Sequence, residues 1–280
     1  MIPGEPHFAG VLGWPLERTL SPAIHAAAFE SVGLPWVYLA WAVPPESLAS
    51  AVEGLRVLRA SGANVTMPHK EAILPLLDDL DEDARAVGAV NTVASGGGRL
   101  IGHNTDVSGF KEFLAGDAGA TISGARCVVL GAGGAARAVV KALSELDAEV
   151  ISVVARDAHK AASVAAIAGA RGRAEPWTAN IWAVADADVV VNATPLGMNK
   201  EKLLEGARFD AGQWVVDLIY DPPSTPLIDS ARSQGAHAWG GIGMLVHQAA
   251  GSFRIWTGQE PPLPAMSAAA VTAIAGRSRD

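Results

Sequence analysis

The sequence predicts an α/β protein with two domains. Strand-like apolar runs alternate with helix-like runs almost throughout, which is the pattern of α/β folds. The length of 280 residues exceeds the usual size of a single domain. In the middle of the chain, a glycine-rich turn follows an apolar run and leads into a helix, as in Rossmann-like, doubly wound domains.

The first half of the chain contains strand patterns separated by helical patterns. The predicted strands are Phe8–Leu12, Trp36–Ala42 and Ala63–Met67, and the predicted helices are Ala23–Val32 and Pro45–Ser61. A run of glycines, Gly96 to Gly98, predicts a hairpin turn between strands at Val90–Ala94 and Leu100–Gly102. We place the domain boundary near Asp106 to Lys111, before a small and polar segment, residues 111–124.

The second half repeats a strand-then-helix unit. Its predicted strands are Cys127–Leu130, Val150–Ala155, Val189–Asn192 and Trp214–Ile219. Because helical crossovers connect parallel strands, we expect a parallel sheet. Helices are predicted at Ala161–Ala170 and Met244–Trp256.

Composition and charge limit the classes of partner. Half of the residues are hydrophobic, and the formal net charge of −8 argues against nucleic acid as a general partner. Nothing near the start resembles a signal peptide and no apolar run reaches the length of a membrane span, so we expect a soluble cytoplasmic protein.

The acidic cluster from Asp78 to Asp83 predicts a solvated helix N-terminus rather than a metal site, and no metal is expected. Cys127 is expected in the core.

The glycine-rich turn predicts a dinucleotide site. Gly131, Gly133 and Ala136 have the spacing of the dinucleotide-binding fingerprint, with alanine in its third position. A strand precedes the turn and a helix follows it, so that the N–H groups of the helix N-terminus can bind a pyrophosphate. The predicted cofactor-binding residues of this loop are Gly131, Gly133, Gly134, Ala135 and Ala136.

The residues that follow the predicted strand Val150–Ala155 indicate which dinucleotide binds. Arg156 and Lys160, one helical turn apart, can clamp the 2′-phosphate of NADP. Asp157 lies between them and could instead bind the free 2′-hydroxyl of NAD, or it could simply cap the following helix. We therefore predict NADP and keep NAD as the alternative.

Lys70 ends an otherwise uncharged segment that begins with Asn64 and contains Thr66. Pro68 fits the first position of a helix, so Lys70 is predicted at a strand-to-helix junction, where a lysine can have a bound partner. The alternative is an ordinary surface lysine in a first helical turn. Similar polar segments recur in apolar surroundings, at Ser21-Pro22, Gly88 to Thr92 and Asn104 to Asp106. Each alone would be a cap or a turn, but together their groups suit a small polyhydroxylated acid beside a proton-transfer pair.

With these motifs, the chain resembles the shikimate/quinate dehydrogenase family over essentially its full length. The matching motifs follow the family's order: Thr19–His25, Asn64–Lys70, Gly88–Thr92, Gly102–Asp106, Gly131–Arg137, Asn192–Met198, Asp217–Tyr220 and Gly241–Gln248. The resemblance implies a substrate-binding and catalytic α/β domain at residues 1–107, completed by C-terminal helices at residues 244–280 that return to it. Residues 108–243 would form the NADP-binding, Rossmann-like domain.

The resemblance also implies a role for individual residues. The family reduces 3-dehydroshikimate reversibly to shikimate with NADPH, and Lys70 and Asp106 would be its catalytic pair. Thr19 and Ser21 would bind the substrate carboxylate. The ring hydroxyls would be bound by Asn64, Thr66, Asn91 and Gln248, with Tyr220 close by. Asn192, Thr194, Gly241 and Met244 would complete the cofactor site.

Two positions differ from the usual pattern of the family. Thr19 stands where the family usually has serine, and Ala155-Arg156-Asp157 stands where it usually has Asn-Arg-Thr. A quinate or quinate/shikimate dehydrogenase, with NAD among its candidate cofactors, is therefore the alternative enzyme. A dinucleotide-binding sensor without catalysis is a further alternative, but a sensor has no need of Lys70 and Asp106. Since the family includes monomers and dimers, we expect a monomer or a homodimer.

Overall fold

The computed structural model describes residues 7–179 and 184–277. The chain divides into two compact units, of which the first is Met1–Gly109 with Val246–Asp280 and the second is Phe110–Leu245. Each unit is built around one sheet of six strands. The predicted α/β fold class is confirmed.

The sheet of the first unit mixes parallel and antiparallel strands. Its strands are β1 (His7–Gly13), β2 (Trp36–Ala42), β3 (Gly62–Val65), β4 (Asp79–Leu80), β5 (Thr92–Gly96) and β6 (Arg99–His103), in the order β2-β1-β3-β5-β6-β4. β1 pairs in parallel with β2 and β3, whereas β5 pairs antiparallel with β3 and β6. The predicted hairpin is therefore confirmed. The parallel strands β1 and β3 end at the same edge of the sheet, which places the segments after them side by side.

Helices cover this sheet and connect its strands. They are α1 (Ser21–Ser31), α2 (Leu48–Val57), α3 (His69–Ala72), α4 (Glu82–Val87) and α5 (Thr105–Glu112). Leu12, Val65 and Val93 from the strands pack with Leu55 and Ile73 in one buried core. The prediction for the acidic cluster is right in part. Asp81 caps α4 by accepting a hydrogen bond from the Ala84 N–H at 2.7 Å, whereas Asp78 and Asp79 precede this helix and pair with arginines.

The second unit has a fully parallel sheet, as predicted. Its strands are β7 (Arg126–Leu130), β8 (Val150–Ala155), β9 (Gly172–Pro176), β10 (Val189–Asn192), β11 (Trp214–Asp217) and β12 (His237–Trp239). Their order is β12-β11-β10-β7-β8-β9, the strand order of the doubly wound dinucleotide-binding fold. The helices of this unit include α6 (Gly134–Glu145), α7 (Ala158–Ala165) and α8 (Pro226–Ser233). The order reverses between β7 and β10, and ligands bind such folds outside the carboxyl ends of these strands.

The last two helices are α9 (Ile242–Thr257) and α10 (Leu263–Arg277), and residues from Val246 onward belong to the first unit. The Trp256 indole N–H donates to the Val93 carbonyl at 2.9 Å. The Arg277 guanidinium donates to the carbonyls of Arg18 and Thr19 at 2.9 and 2.8 Å. The predicted return of the C-terminal helices to the first domain is confirmed. No helix among the described residues combines the length and apolar character needed to cross a bilayer.

Several predicted elements have different bounds in the structure. The helix predicted over Pro45–Ser61 is a 3-10 turn at Pro45–Ser47 followed by α2, which ends at Val57. The helix predicted to Ala170 ends at Ala165 and continues as a 3-10 segment, within which Gly169 has the non-helical φ of 58°. The polar segment 111–124 contains a π-helical turn, Phe113–Ala118, in which Phe113 and Leu114 are buried.

Candidate active site

Lys70 and Asp106 form an ion pair in the first unit. Lys70 lies in the single turn of α3, after β3, and Asp106 lies in the first turn of α5. The Lys70 Nζ donates to Asp106 Oδ2 at 2.5 Å, and the two side chains are only 19% and 6% exposed. Lys70 is therefore not a solvated surface lysine. An ammonium that is partly shielded from water and oriented by a carboxylate can deliver a proton to a bound oxygen.

The backbone around Lys70 is anchored on both sides. Its carbonyl accepts from the Val90 N–H at 2.8 Å, and the His69 N–H donates to the Thr66 carbonyl at 2.9 Å. The His69 ring is 1% exposed, and its Nε2 is 2.7 Å from the Val43 carbonyl. These contacts hold α3 in place although it has only one turn. His69 was not among the predicted site residues, and its burial gives it a structural role.

Asn91 orients Asp106 from the other side. Its Nδ2 donates to Asp106 Oδ1 at 2.8 Å and to Thr105 Oγ1 at 2.9 Å, and lies 3.3 Å from Gln248 Oε1. Its Oδ1 accepts from the Thr105 N–H at 2.7 Å. Each carboxylate oxygen of Asp106 thus has its own donor, Lys70 on one and Asn91 on the other. Gln248 can lie here because Gly109 has no side chain, and a Cβ at that position would be 2.6 Å from the Gln248 nitrogen.

Asn64 is close to this cluster and has several protein partners, which leave one lone pair of its amide oxygen free of the hydrogen bonds below. Its Nδ2 donates to Ser252 Oγ at 2.8 Å, to Thr92 Oγ1 at 3.1 Å and to the Asn91 carbonyl at 3.2 Å. Its Oδ1 accepts from the Tyr38 hydroxyl at 2.6 Å. The structure therefore brings Asn64, Asn91 and Gln248 together with the ion pair in one polar cluster.

The other predicted substrate residues lie at the ends of neighbouring elements. Ser21 begins α1, and its N–H donates to Thr19 Oγ1 at 3.3 Å. Thr66 directly follows β3. No hydrogen bond found among residues 7–179 and 184–277 joins these three hydroxyls to Lys70 or Asp106. Tyr220 belongs to the second unit, so its predicted place beside the substrate stays a prediction.

The glycine turn of the second unit fits a pyrophosphate. Gly131 has a φ of 111°, and a Cβ there would be 2.9 Å from the Ala193 carbonyl oxygen, so only glycine is accommodated. Gly133 precedes α6 and faces open space, and no side chain caps this helix N-terminus. The free N–H groups of the first turn can therefore bind an anion. Ala136, in the third position of the motif, is fully buried and allows close packing of α6 on the sheet.

Arg156 and Asp157, the two charged residues directly after β8, differ in their contacts. The Asp157 carboxylate caps α7 and accepts from the Lys160 N–H at 3.1 Å. Arg156 is exposed, and its guanidinium has no partner within the part of the chain that the structure describes. The alternative that Asp157 is a helix cap is confirmed. A free arginine next to an occupied carboxylate favours a ligand that carries a 2′-phosphate.

Asn192 holds a loop in place, and its side-chain amide uses all of its hydrogen-bonding capacity within the protein. Its Nδ2 donates to Asp217 Oδ1 at 3.0 Å and to the Leu196 carbonyl at 3.1 Å. Its Oδ1 accepts from the Thr194 hydroxyl at 2.7 Å and the Thr194 N–H at 3.0 Å. Asn192 therefore shapes the loop that carries Thr194. Gly241 and Met244, the other predicted cofactor residues, are buried where α9 begins.

Asp217 is a buried carboxylate that the sequence alone did not single out as a site residue. Besides Asn192, it accepts from the Ile219 N–H at 3.1 Å and from the Thr225 hydroxyl at 2.6 Å. Burial raises the pKa of Asp217, although these donors act in the opposite direction. Asp217 joins the loops that follow β10 and β11, including the one that carries Tyr220. Among the described residues, no group of three or more His, Cys, Asp or Glu side chains is arranged to hold a metal ion.

Comparison with known proteins gives matches over both units. The model of the shikimate dehydrogenase substrate binding domain matches residues 11–93, and that of shikimate / quinate 5-dehydrogenase matches residues 114–213. The model of the shikimate 5′-dehydrogenase C-terminal domain matches residues 241–271. A shikimate dehydrogenase (NADP(+)) of Geobacter metallireducens is 43% identical, over 93% of this chain and 94% of its own length.

Solved structures give the same match. A crystal structure of shikimate dehydrogenase in complex with NADP+ has 35% identity and a TM-score of 0.89, with 98% of each chain covered. A shikimate 5-dehydrogenase of Thermus thermophilus, in complex with NADP(H) and shikimate, has 38% identity and a TM-score of 0.85. That match covers 95% of this chain and 99% of the other.

Proposed function

The chain belongs to the shikimate dehydrogenase family, and on that basis we propose that it reduces 3-dehydroshikimate reversibly to shikimate with NADPH. The single observation that carries the mechanism is the shielded Lys70–Asp106 pair inside a cluster of amide and hydroxyl groups. The predicted enzyme class, an NADP-dependent oxidoreductase, agrees with the name of the relative from Geobacter metallireducens.

Lys70 acts as the proton donor of the reduction. When bound, NADPH supplies a hydride to the carbonyl carbon. The carbonyl oxygen becomes an alkoxide, and the Lys70 ammonium first stabilises its charge and then gives it a proton, so that a hydroxyl forms. In the oxidation direction Lys70 accepts that proton. Because the Lys70 side chain keeps 19% exposure, it can exchange protons with water between turnovers.

Asp106 positions Lys70 throughout this cycle. Its carboxylate is fixed by Asn91 on Oδ1, so that Oδ2 keeps the ammonium in one place. We assign the substrate carboxylate to the hydroxyls of Thr19 and Ser21. Asn91, Thr66 and Gln248 then bind ring hydroxyls together with Asn64, whose contribution includes holding the cluster. The role of Tyr220 in substrate binding stays a prediction.

The cofactor is proposed to bind along the carboxyl edge of the parallel sheet in the second unit. Its pyrophosphate fits the uncapped N-terminus of α6 after Gly133, and its 2′-phosphate fits the free guanidinium of Arg156 with Lys160 beside it. Asp157 does not oppose the phosphate, since its carboxylate caps α7. This arrangement favours NADP over NAD.

Arg156→Ala is expected to weaken NADP binding selectively. Loss of a charge-assisted pair with the 2′-phosphate should raise the KM for NADP by about 10- to 100-fold. The KM for NAD should change little, because NAD has no phosphate at that position. Steady-state kinetics with both cofactors measure the effect, and Arg173→Ala, on the edge strand β9, is the matched control. An equal change in both KM values would refute the phosphate clamp.

The activity itself is tested by combining shikimate or quinate with NADP or NAD. We expect the highest kcat/KM for shikimate with NADP, followed by the absorbance of the reduced nicotinamide. Faster turnover of quinate would assign the enzyme to the alternative substrate, and Thr19→Ser then tests whether the extra methyl group causes the difference. Absence of turnover with every pair would disprove the dehydrogenase function. A cytoplasmic location and a monomeric or homodimeric state stay predictions.

A further inference from the structure

Tyr38 lies in the middle of the edge strand β2, and its hydroxyl contacts the polar cluster through Asn64. The side chain is 7% exposed. Its hydroxyl donates to Asn64 Oδ1 at 2.6 Å, the shortest hydrogen bond that Asn64 makes. Burial raises the pKa of Tyr38 well above its usual value, and a smaller contribution from Ser21 acts in the opposite direction. Tyr38 therefore stays protonated and donates its hydroxyl hydrogen to Asn64.

The ring of Tyr38 has little freedom to move. The His25 imidazole stacks on it with ring centroids 4.4 Å apart and an interplanar angle of 10°. Trp256 lies 6.2 Å away on a tilted plane. His25 is fully buried, and burial lowers its pKa to about 3, so the stack contains a neutral ring at physiological pH. His25 also lies one turn after Ser21 on α1, which ties the position of Tyr38 to that helix.

The hydrogen bonds continue from Tyr38 to the ion pair. Asn64 Nδ2 donates to the Asn91 carbonyl at 3.2 Å, which requires its Oδ1 to face Tyr38. The Asn91 side chain in turn donates to Asp106, which binds Lys70. A polar connection thus extends from the Tyr38 hydroxyl through Asn64 and Asn91 to the ion pair.

We propose that Tyr38 is a positioning residue for substrate binding, whose hydroxyl fixes the Asn64 amide beside the cluster that holds the Lys70–Asp106 pair. The inference rests on the proposed function, since it requires Asn64 to bind a ring hydroxyl of the substrate. Tyr38 acts through Asn64 and needs no contact with the substrate itself.

Tyr38→Phe tests this role because it removes the hydroxyl and keeps the stacked ring. The KM for shikimate is expected to rise about tenfold, the effect of one lost buried hydrogen bond, with a smaller change in kcat. The KM for NADP should stay close to that of the wild type, and the Tm should fall by only a few degrees, because one buried acceptor loses its donor. Trp36→Phe, two residues earlier on β2, is the control and should leave the KM for shikimate unchanged.

A double-mutant cycle separates positioning from general destabilisation. If Tyr38 acts through Asn64, the Asn64→Ala/Tyr38→Phe variant should have nearly the KM for shikimate of Asn64→Ala alone. Independent effects that multiply in the double variant, an unchanged KM in Tyr38→Phe, or an equal rise of the KM values for shikimate and NADP would each overturn the proposal. Inactive wild-type enzyme would contradict the proposed function, whereas an active wild type with an indistinguishable Tyr38→Phe variant would contradict only this inference.

Discussion

Lys70→Ala is expected to lower kcat for shikimate oxidation by about 10²- to 10⁴-fold, the range for loss of a positioned general acid or base. The KM for NADP should stay near the wild-type value, because the proposed cofactor residues belong to other elements. Asp106 would lose its cation but keep the hydrogen bond from Asn91, so the variant should remain folded. Steady-state kinetics and thermal unfolding measure the two effects separately.

Lys111→Ala is the matched control for this substitution. Lys111 also pairs with a carboxylate, Glu145 Oε2 at 2.6 Å, but it is more exposed and lies outside the polar cluster. Its loss should leave kcat unchanged. Lys70→Arg separates proton transfer from charge stabilisation, since a guanidinium keeps the charge but does not release its proton. Wild-type kcat in Lys70→Ala would disprove the catalytic role, and high activity in Lys70→Arg would show that charge stabilisation dominates.

The fold was largely predictable because its central strands and helices have strong periodicity. β2 and β8 have the predicted bounds, and the repeated strand–helix units correctly predicted a parallel sheet. The missed strands, β4, β9 and β12, all lie at sheet edges and have two to five residues. Edge strands this short bury few side chains, so their sequences carry no alternating pattern.

Parts of the candidate site were predictable from polar residues in apolar surroundings. Lys70, Asp106, Asn91 and Asn64 were identified in this way, and the structure places them in one cluster. Tyr38 could not be identified because it lies in an apolar strand, where it resembles an ordinary core residue. The same holds for Ser252, which reaches Asn64 and Thr92 from the C-terminal helix α9. Only tertiary contacts between distant segments reveal such residues.

The sequence also could not predict which protein groups form hydrogen bonds with the site residues. Asn192 and Asn64 were predicted to contact ligands, yet both use their amides to hold neighbouring segments. A buried amide left unpaired costs about 1–3 kcal/mol, so such side chains find protein partners wherever the fold allows. Sequence patterns show that a polar residue is buried but not which partner satisfies it.

Asp106→Asn is expected to lower kcat by about 10²- to 10³-fold, because the amide cannot hold the Lys70 ammonium. The new side chain can still accept the hydrogen bond from Asn91 through its oxygen, which directs its NH₂ group toward Lys70. Two donors would then face each other across the former ion pair. Lys70 would turn away from the new amide, and it then no longer delivers a proton to the substrate oxygen.

The stability of Asp106→Asn distinguishes this mechanism from general disruption. Losing one partner of a shielded pair should lower the free energy of unfolding by about 1–3 kcal/mol, which denaturant titration can measure. Glu145→Gln makes the same carboxyl-to-amide change beside Lys111 and Lys141, outside the cluster, and should leave kcat unchanged. If Asp106→Asn keeps its activity, Lys70 needs no carboxylate to hold it. If its activity falls only in proportion to the fraction unfolded, Asp106 supports the fold and does not take part in proton transfer.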